Sequence, residues 1–293
     1  MTRWQKLRFD PRVRFAALTA PGVIFICFFL ALPLLSIIVF SFWRTESYEL
    51  IADWNLENYT TVLGDWVYLK FVVRSLLMAT AVSLVSLVYA WPCAYLIAKH
   101  GGRYRLVLVL LTAGPFLTGI ILRVTAMQQV LGPIGLINMM LGNFGLSPIE
   151  AISYTNVASA IGLIYLWVPF MLVAIYLSLL NFDFDLLDVA KVCGAKPWRA
   201  FFEVTWPLNW MGTAIGIVLV FIPTFAAVVT PRFLGGPNGA LFGNRLVHEF
   251  GATGTWALGS AMGVVMFVTS LLVIAIIWFS INLRRAGFTG AEG

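Results

Sequence analysis

Charge is scarce in this sequence: Asp, Glu, Lys and Arg make up only 11% of its 293 residues, against 60% hydrophobic residues. A soluble domain carries about 25% charged residues, so this composition excludes an ordinary soluble protein. Histidine occurs twice, at His100 and His248, and cysteine three times. No spacing of Cys and His resembles a metal site. Cys27 and Cys93 fall in apolar stretches and Cys193 in a polar one, which leaves no plausible disulfide pair. A Gly-x-x-x-x-Gly-Lys-Ser/Thr loop is missing, which excludes the usual P-loop mode of nucleotide binding. A membrane enzyme would need clustered acids, histidines or a nucleophile near the bilayer face, and the sequence offers no such cluster.

Long apolar runs are abundant instead. Stretches 16–42, 72–98, 106–130, 157–180, 211–230 and 257–283 are each long enough to cross a hydrocarbon core of about 30 Å. They predict an all-α polytopic membrane protein: six transmembrane helices in one domain over 16–283, with segments 1–15 and 284–293 on either side. The third and fifth are the least regular, because Gly114-Pro115 and Pro223 lie inside them. The first run is about twice the 7–15 residues of a signal-peptide core, contains Pro33 and leads into Phe42-Trp43, so it reads as a retained helix.

Basic residues set the orientation. With the N-terminus inside, cytoplasmic segments hold Arg3, Lys6, Arg8, Arg12, Arg14, Lys99, Arg103, Arg105, Lys191, Lys196, Arg199, Arg284 and Arg285, thirteen of the nineteen. Outer segments gather the acids Glu46, Glu49, Asp53, Glu57 and Asp65. Both termini are therefore expected in the cytoplasm, and the net charge of +6 reflects topology, with no nucleic-acid partner needed to explain it.

The polar island 181–207 stands out between the fourth and fifth spans and falls on the cytoplasmic side. Its punctuation predicts two short helices. Asp185 is placed to be an N-cap, Leu186 to Cys193 give about two turns, and Gly194 sits where a helix stops. Pro197 suits the first turn of a second helix that includes Trp198, and Pro207 the entry to the next span. A capping box begun by Asp185 would account for Asp188, but not for its fixed distances to Gly194 and Pro207.

Those distances carry a resemblance. Asp188-Val189-Ala190, then Gly194, then Val204-Thr205-Trp206-Pro207 resembles the EAA loop of ATP-binding-cassette importer permeases, without insertion or deletion. Ala190, Gly194 and Pro207 match by identity; Asp188, Val189, Val204 and Trp206 depart from the pattern, Trp206 by much the greatest bulk. The resemblance implies a type I importer permease fold. It also implies a docking hairpin built from Asp185, Leu186, Asp188, Ala190, Gly194, Ala195, Pro197, Trp198 and Pro207. Its partners would be a second similar permease, two cytoplasmic ATPases holding ATP and Mg, an external substrate-binding protein and the lipid bilayer. No cofactor is expected on this chain, and the location implied is a bacterial inner membrane.

Candidate pathway residues lie in the middle spans. Arg123 is a costly charge at membrane depth, followed by Thr125, Gln128 and Gln129; it either lines a pathway or snorkels to the outer interface. Tyr165 and Trp167 could line the same path or belong to an aromatic belt. The glycine-broken stretch 132–146 is an apolar outer loop, either a packed short helix or a docking surface. Pro223 and Pro231 break the fifth span near Thr224 and Thr230, where irregular backbone is tolerated if it lines a cavity.

Val229-Thr230-Pro231, Leu234-Gly235-Gly236, Gly243-Asn244 and Phe250, with Gly135 to Asn138 and Gly145-Leu146, are similar to the spermidine/putrescine permease group. That group includes relatives moving ferric iron, thiamine, aminophosphonates, opines and amino acids. Arg232 departs from it, since some polyamine permeases place an acid there and an arginine facing a polyamine would repel it. Arg232 either points to solvent, pairs with Glu249, or faces the pathway of a cargo bearing an anionic group. The rival from another class is a self-sufficient secondary transporter or channel. It would call for more spans or an internal repeat, and for intramembrane acids.

Overall fold

The computed structural model describes residues 11–147, 149, 154–236 and 238–289. The basic residues Arg3, Lys6 and Arg8 and the tail beyond Thr289 lie outside the described residues. The chain forms two compact units, residues 1–65 with 249–265 and residues 66–248 with 266–293.

In the first unit, α1 (Pro11–Phe40) carries Pro21 and Pro33 within a run whose apolar side chains are exposed from Val23 to Leu35. Such a surface suits lipid or a partner helix rather than water. A two-stranded hairpin follows, β1 (Arg44–Glu46) paired antiparallel with β2 (Glu49–Ile51), and turns on Ser47 and Tyr48, both at positive φ. It is the one departure from an all-helical fold among the described residues. Asn58 on α2 (Glu57–Gly64) ties down the chain entering the hairpin, its Nδ2 donating to the Ser41 and Trp43 carbonyls at 2.9 and 2.8 Å.

The second unit is built on α3 (Trp66–His100), a 35-residue helix that reaches well past the predicted 72–98. Its buried face is a stripe of small residues, Ser75, Ala79, Ser83, Ser86, Ala90, Ala94 and Ala98, spaced three or four apart. Small residues let neighbouring helices approach without a hydrophobic drive, the usual packing device in lipid. After a 3₁₀ turn come α4 (Arg105–Ala113), α5 (Ile120–Leu131), α6 (Leu136–Asn143), α7 (Asn156–Leu179) and α8 (Asp185–Val192). Then follow α9 (Pro197–Ala200), α10 (Trp206–Leu208), α11 (Trp210–Phe225) and α12 (Val229–Leu234); α13 (Phe242–Gly251) and α14 (Trp256–Thr289) have residues in both units. The core lies where α3, α7 and α11 meet, around Val82, Trp91, Leu163, Met171, Ile175 and Val220. A Cβ on Gly216 of α11 would stand 2.5 Å from Met171 Sδ, so glycine sets that helix spacing.

Among the described residues five helices are long and apolar enough to cross a membrane, or six if α11 counts with the bent helical segment before it. The third candidate span is not where the sequence placed it. Gly114–Leu117 forms a 3₁₀ turn, Thr118 and Gly119 are extended, and the 9-residue α4 is left too short to cross alone. Pro115 contributes no N–H to a continuing ladder, which breaks the 106–130 run in two. The qualifying stretch is Ile120–Asn143, including α6, which was expected in an outer loop. The fifth span breaks later than Pro223 suggests, since α11 runs on to Phe225 before the chain leaves the helix at 226–228.

Candidate functional site

The 181–207 hairpin takes the two-helix form its punctuation predicts, with one correction. Asp185 is not the N-cap: it is the first residue of α8, and its N–H donates at 3.0 Å to the Asp183 carboxylate. The N-cap position falls to Phe184, whose side chain cannot cap, and Asp183, one residue earlier, holds only the first N–H of the helix. The other end closes as a Schellman motif. Ala195 N–H donates to the Ala190 carbonyl and Gly194 N–H to the Lys191 carbonyl, each at 2.9 Å, with Gly194 at φ +83°. Pro197 then opens α9 as expected.

Burial on α8 is one-sided. Leu187 is buried, while Leu186, Val189 and Val192 form an exposed apolar row three residues apart, with Val192 90% exposed. Ala190 and Ala195 are half-buried, and Asp185, Gly194, Pro197 and Trp198 are exposed. Asp188 accepts a 2.6 Å hydrogen bond from Lys191 within this helix. That bond, and then the ammonium charge, holds the Asp188 carboxyl below the usual carboxylate range, with Lys99 adding to the pull. Reciprocally, Asp188 raises Lys191.

The hairpin returns to the core through an aromatic cluster. Phe201–Thr205 widens to a π-helix just ahead of Pro207, which lacks the N–H for an ordinary turn and whose ring would press on the Glu203 carbonyl. Trp206 stacks on Trp91 of α3 at 5.4 Å and 25°, and Phe201 meets Trp91 edge-on at 5.1 Å. The bulk that set Trp206 apart from the EAA pattern is thus filled by an aromatic partner on α3.

The candidate pathway residues do not converge on one place. Trp167 and Thr230 line a cavity of about 250 Å³ beside the 226–228 break, with Ile120, Leu163 and Pro223. Thr224 is fully buried close by in sequence, and its hydroxyl and the Trp167 indole N–H have no hydrogen-bond partner among the described residues. Tyr165 instead borders a larger apolar cavity of about 540 Å³, with Tyr89, Cys93, Leu111 and Pro169. Gln128 reaches Tyr154 OH at 3.4 Å, and Thr125 is half-buried on the same helix. Arg123 is half-buried, with its guanidinium 4.7 Å from the Phe116 ring centroid. Phe116 packs edge-on against Phe170, which leans on Trp167. Phe116 thus gives the Arg123 guanidinium a cation–π partner. Arg232 is exposed, and the buried Glu249 carboxylate accepts hydrogen bonds from Thr253 at 2.8 Å and Thr255 at 2.6 Å. Among the described residues no cluster of three His, Cys, Asp or Glu is placed to hold a metal.

Residues 104–286 match the family described as binding-protein-dependent transport system inner membrane component, which is more than half of the sequence. The chain belongs to that family. It is a permease subunit of an ABC importer, a membrane component rather than an enzyme. The permease is similar to the spermidine/putrescine transport system permease protein PotB of Haemophilus influenzae, 32% identical and covering 84% of this chain and 87% of that one. The protein of the same name from Escherichia coli is 30% identical, covering 85% and 91%. Among solved structures, the permease superposes on a bacterial ABC transporter involved in the import of the acidic polysaccharide alginate. The TM-score there is 0.68 at 16% identity, over 97% of this chain and 98% of the other. A second alginate transporter structure, in complex with a pentasaccharide-bound periplasmic protein, gives 0.69 at 17% identity, over 94% and 95%. At such identities the likeness concerns the fold alone, and the fold is that of an importer permease.

One polar residue of the permease escaped the sequence reading. Asn209 stands at the 73° bend between the Pro197–Leu208 segment and α11, only 1% exposed. Its Nδ2 donates to the Thr205 carbonyl at 2.9 Å, and its Oδ1 accepts from Ser178 Oγ on α7 at 3.0 Å. Its backbone carbonyl accepts from Thr213 Oγ1 at 3.1 Å, and that hydroxyl accepts from Trp91 Nε1 on α3 at 3.1 Å. The available signal was its place two residues after Pro207, a polar amide at the mouth of an apolar span.

Proposed function

We propose that this permease imports a polyamine of the spermidine/putrescine type, with the 181–207 hairpin as its contact to a cytoplasmic ATPase. The observation carrying the hairpin reading is the exposed row of Leu186, Val189 and Val192 on a helix closed at its C-terminal end by a Schellman motif. An apolar row on a polar, water-facing hairpin suits a cleft in a partner, and a short capped helix moves as a unit. Asp188, Ala190, Gly194, Ala195, Pro197, Trp198 and Pro207 shape and hold that helix. Two ATPases bearing ATP and Mg close against two permeases, and an external binding protein delivers the solute. Both termini face the cytoplasm, as the distribution of Lys and Arg favours. The solute path runs past Trp167, Thr224 and Thr230, where the broken backbone meets the 250 Å³ cavity.

The names of the relatives support the polyamine reading. The exposed guanidinium of Arg232, two residues from Thr230, favours a second reading. In it the same machinery carries an opine or amino acid with an anionic group. Reconstituting the complex and asking which loaded binding protein stimulates ATP hydrolysis tests both. Stimulation by the polyamine-loaded protein is expected, and stimulation only with an opine or amino acid replaces the first reading by the second. Uptake by this chain alone, without an ATPase, would overturn the hairpin's role.

A further inference from the structure

We propose that Asn209 is a positioning residue: a rigid joint that makes the hairpin's return segment and helices α3 and α7 move as one body. The proposal rests on the reading that the hairpin receives motion from the ATPase. It adds where that motion enters the membrane core.

A bend of 73° between two helical segments would ordinarily be a place to flex. Here it is braced. The Asn209 backbone sits at φ −105°, ψ 16°, in the sparsely used bridge region, and leaves the helical path. The Asn209 side chain places a donor and an acceptor in one plane at this point, adding to the 3.2 Å bond from its backbone N–H to the Thr205 carbonyl. The Thr205 carbonyl can only accept, so the amide N–H₂ must face it, and this directs Oδ1 to the Ser178 hydroxyl. One amide therefore bonds the preceding turn and α7 together. The same residue's carbonyl holds Thr213, which carries the link on to Trp91 of α3. Thr205, Asn209 and Thr213 are all buried. Bonds in such surroundings are screened little by water; losing the Asn209 amide takes this partner from the Ser178 hydroxyl, while the Thr205 carbonyl keeps the Asn209 backbone N–H at 3.2 Å.

Packing restrains the joint as well. A Cβ on Gly212 would overlap the Ser178 side chain and stand 3.0 Å from the Ala174 carbonyl, so α7 and α11 are in backbone-level contact beside Asn209. Trp206, one turn before Asn209, is stacked on Trp91, the indole that closes the hydrogen-bonded chain. Polar and aromatic contacts thus converge on one turn. α7 also carries Trp167, so a rigid joint would carry a displacement of the hairpin towards the cavity at the 226–228 break.

The test is uptake per ATP hydrolysed in the reconstituted complex. It compares Ser178→Ala, Asn209→Ala, Asn209→Asp and the Ser178→Ala/Asn209→Ala double variant, with Gly194→Val as a hairpin control. Asn209→Asp keeps the shape but loses the donor to Thr205. Each joint variant is expected to lower uptake per ATP by about tenfold, the scale set by one buried hydrogen bond. The double variant should be no worse than Asn209→Ala. A purely structural role would lower uptake and hydrolysis in proportion and leave the ratio fixed, and that result overturns the proposal. So does a wild-type ratio in Ser178→Ala while Gly194→Val is uncoupled, which would spare the hairpin reading. A wild-type ratio in Gly194→Val as well would overturn the hairpin reading and the joint with it.

Discussion

The hairpin helix α8 and the joint around Asn209 are separated by fewer than twenty residues, yet they are built in opposite ways. The hairpin turns Leu186, Val189 and Val192 outward, holds on through Leu187 and closes its ends with local bonds. The joint hides its polar groups and bonds them to helices far away in sequence, as Asn209 does to Ser178 and Thr213 to Trp91. An outward apolar face without a partner is costly in water and makes sense as a surface held for another protein. A buried and bonded polar turn makes sense as a coupling that does not flex. On the proposed reading, the difference separates a receiving element from a transmitting one.

The largest effect expected from breaking this contrast is at the joint. Gly212→Val would wedge α7 from α11, an overpacking cost of about 1–3 kcal/mol or more. A clear drop in the melting temperature of the purified permease checks it, with hairpin side chains still exposed to labelling. Next comes the hairpin's face. Val192→Asp should leave folding and insertion intact, because Val192 touches little in the permease. It should lose ATPase copurification, since it removes up to about 1.5–3 kcal/mol of apolar burial at the contact.

Gly194 then separates backbone from space. A Cβ there would meet nothing within 4 Å, so only the positive φ penalises substitution. Gly194→Val should cost about 1–2 kcal/mol and lower uptake, whereas Gly194→Asn, which tolerates that conformation, should stay near wild type. Equal loss in both would point to a side-chain clash that the structure does not contain.

The smallest effect is the Asp188–Lys191 pair. The depressed Asp188 pKa means its contribution is complete above the ordinary carboxylate value and is lost as pH falls through the lowered one. The raised Lys191 pKa means its contribution is complete below the ordinary lysine value and is lost as pH rises through the raised one. Hydrogen exchange over 185–195 should accordingly be flat around neutrality. It should change only in strong acid or alkali, and modestly, because both groups are in solvent.

How much was legible depended on how local the cause was. Gly194 and Pro197 could be read because a helix stop and a helix start depend on a few neighbouring residues. The N-cap could not, since Asp185 suits the role chemically while the helix begins one residue earlier and leaves Phe184 at that position. The third span failed for a similar reason: hydropathy ran smoothly through Gly114-Pro115 while the backbone did not. Pro223 erred the other way, being carried within α11 by packing against α3 and α7. Asn209 was invisible because its partners Ser178 and Thr213 reach it only in the folded molecule. Trp206 looked like a departure until Trp91 stood beside it.

The central claim is that the α8 face seats in an ATPase. Its most direct measurement is thiol cross-linking from Val192→Cys, made in a Cys193→Ser background because native Cys193 is also exposed. A short bifunctional reagent applied to the assembled importer should give a covalent permease–ATPase product whose yield changes on ATP binding. A face that is labelled freely in the assembled complex, with no ATPase adduct in either nucleotide state, would contradict it.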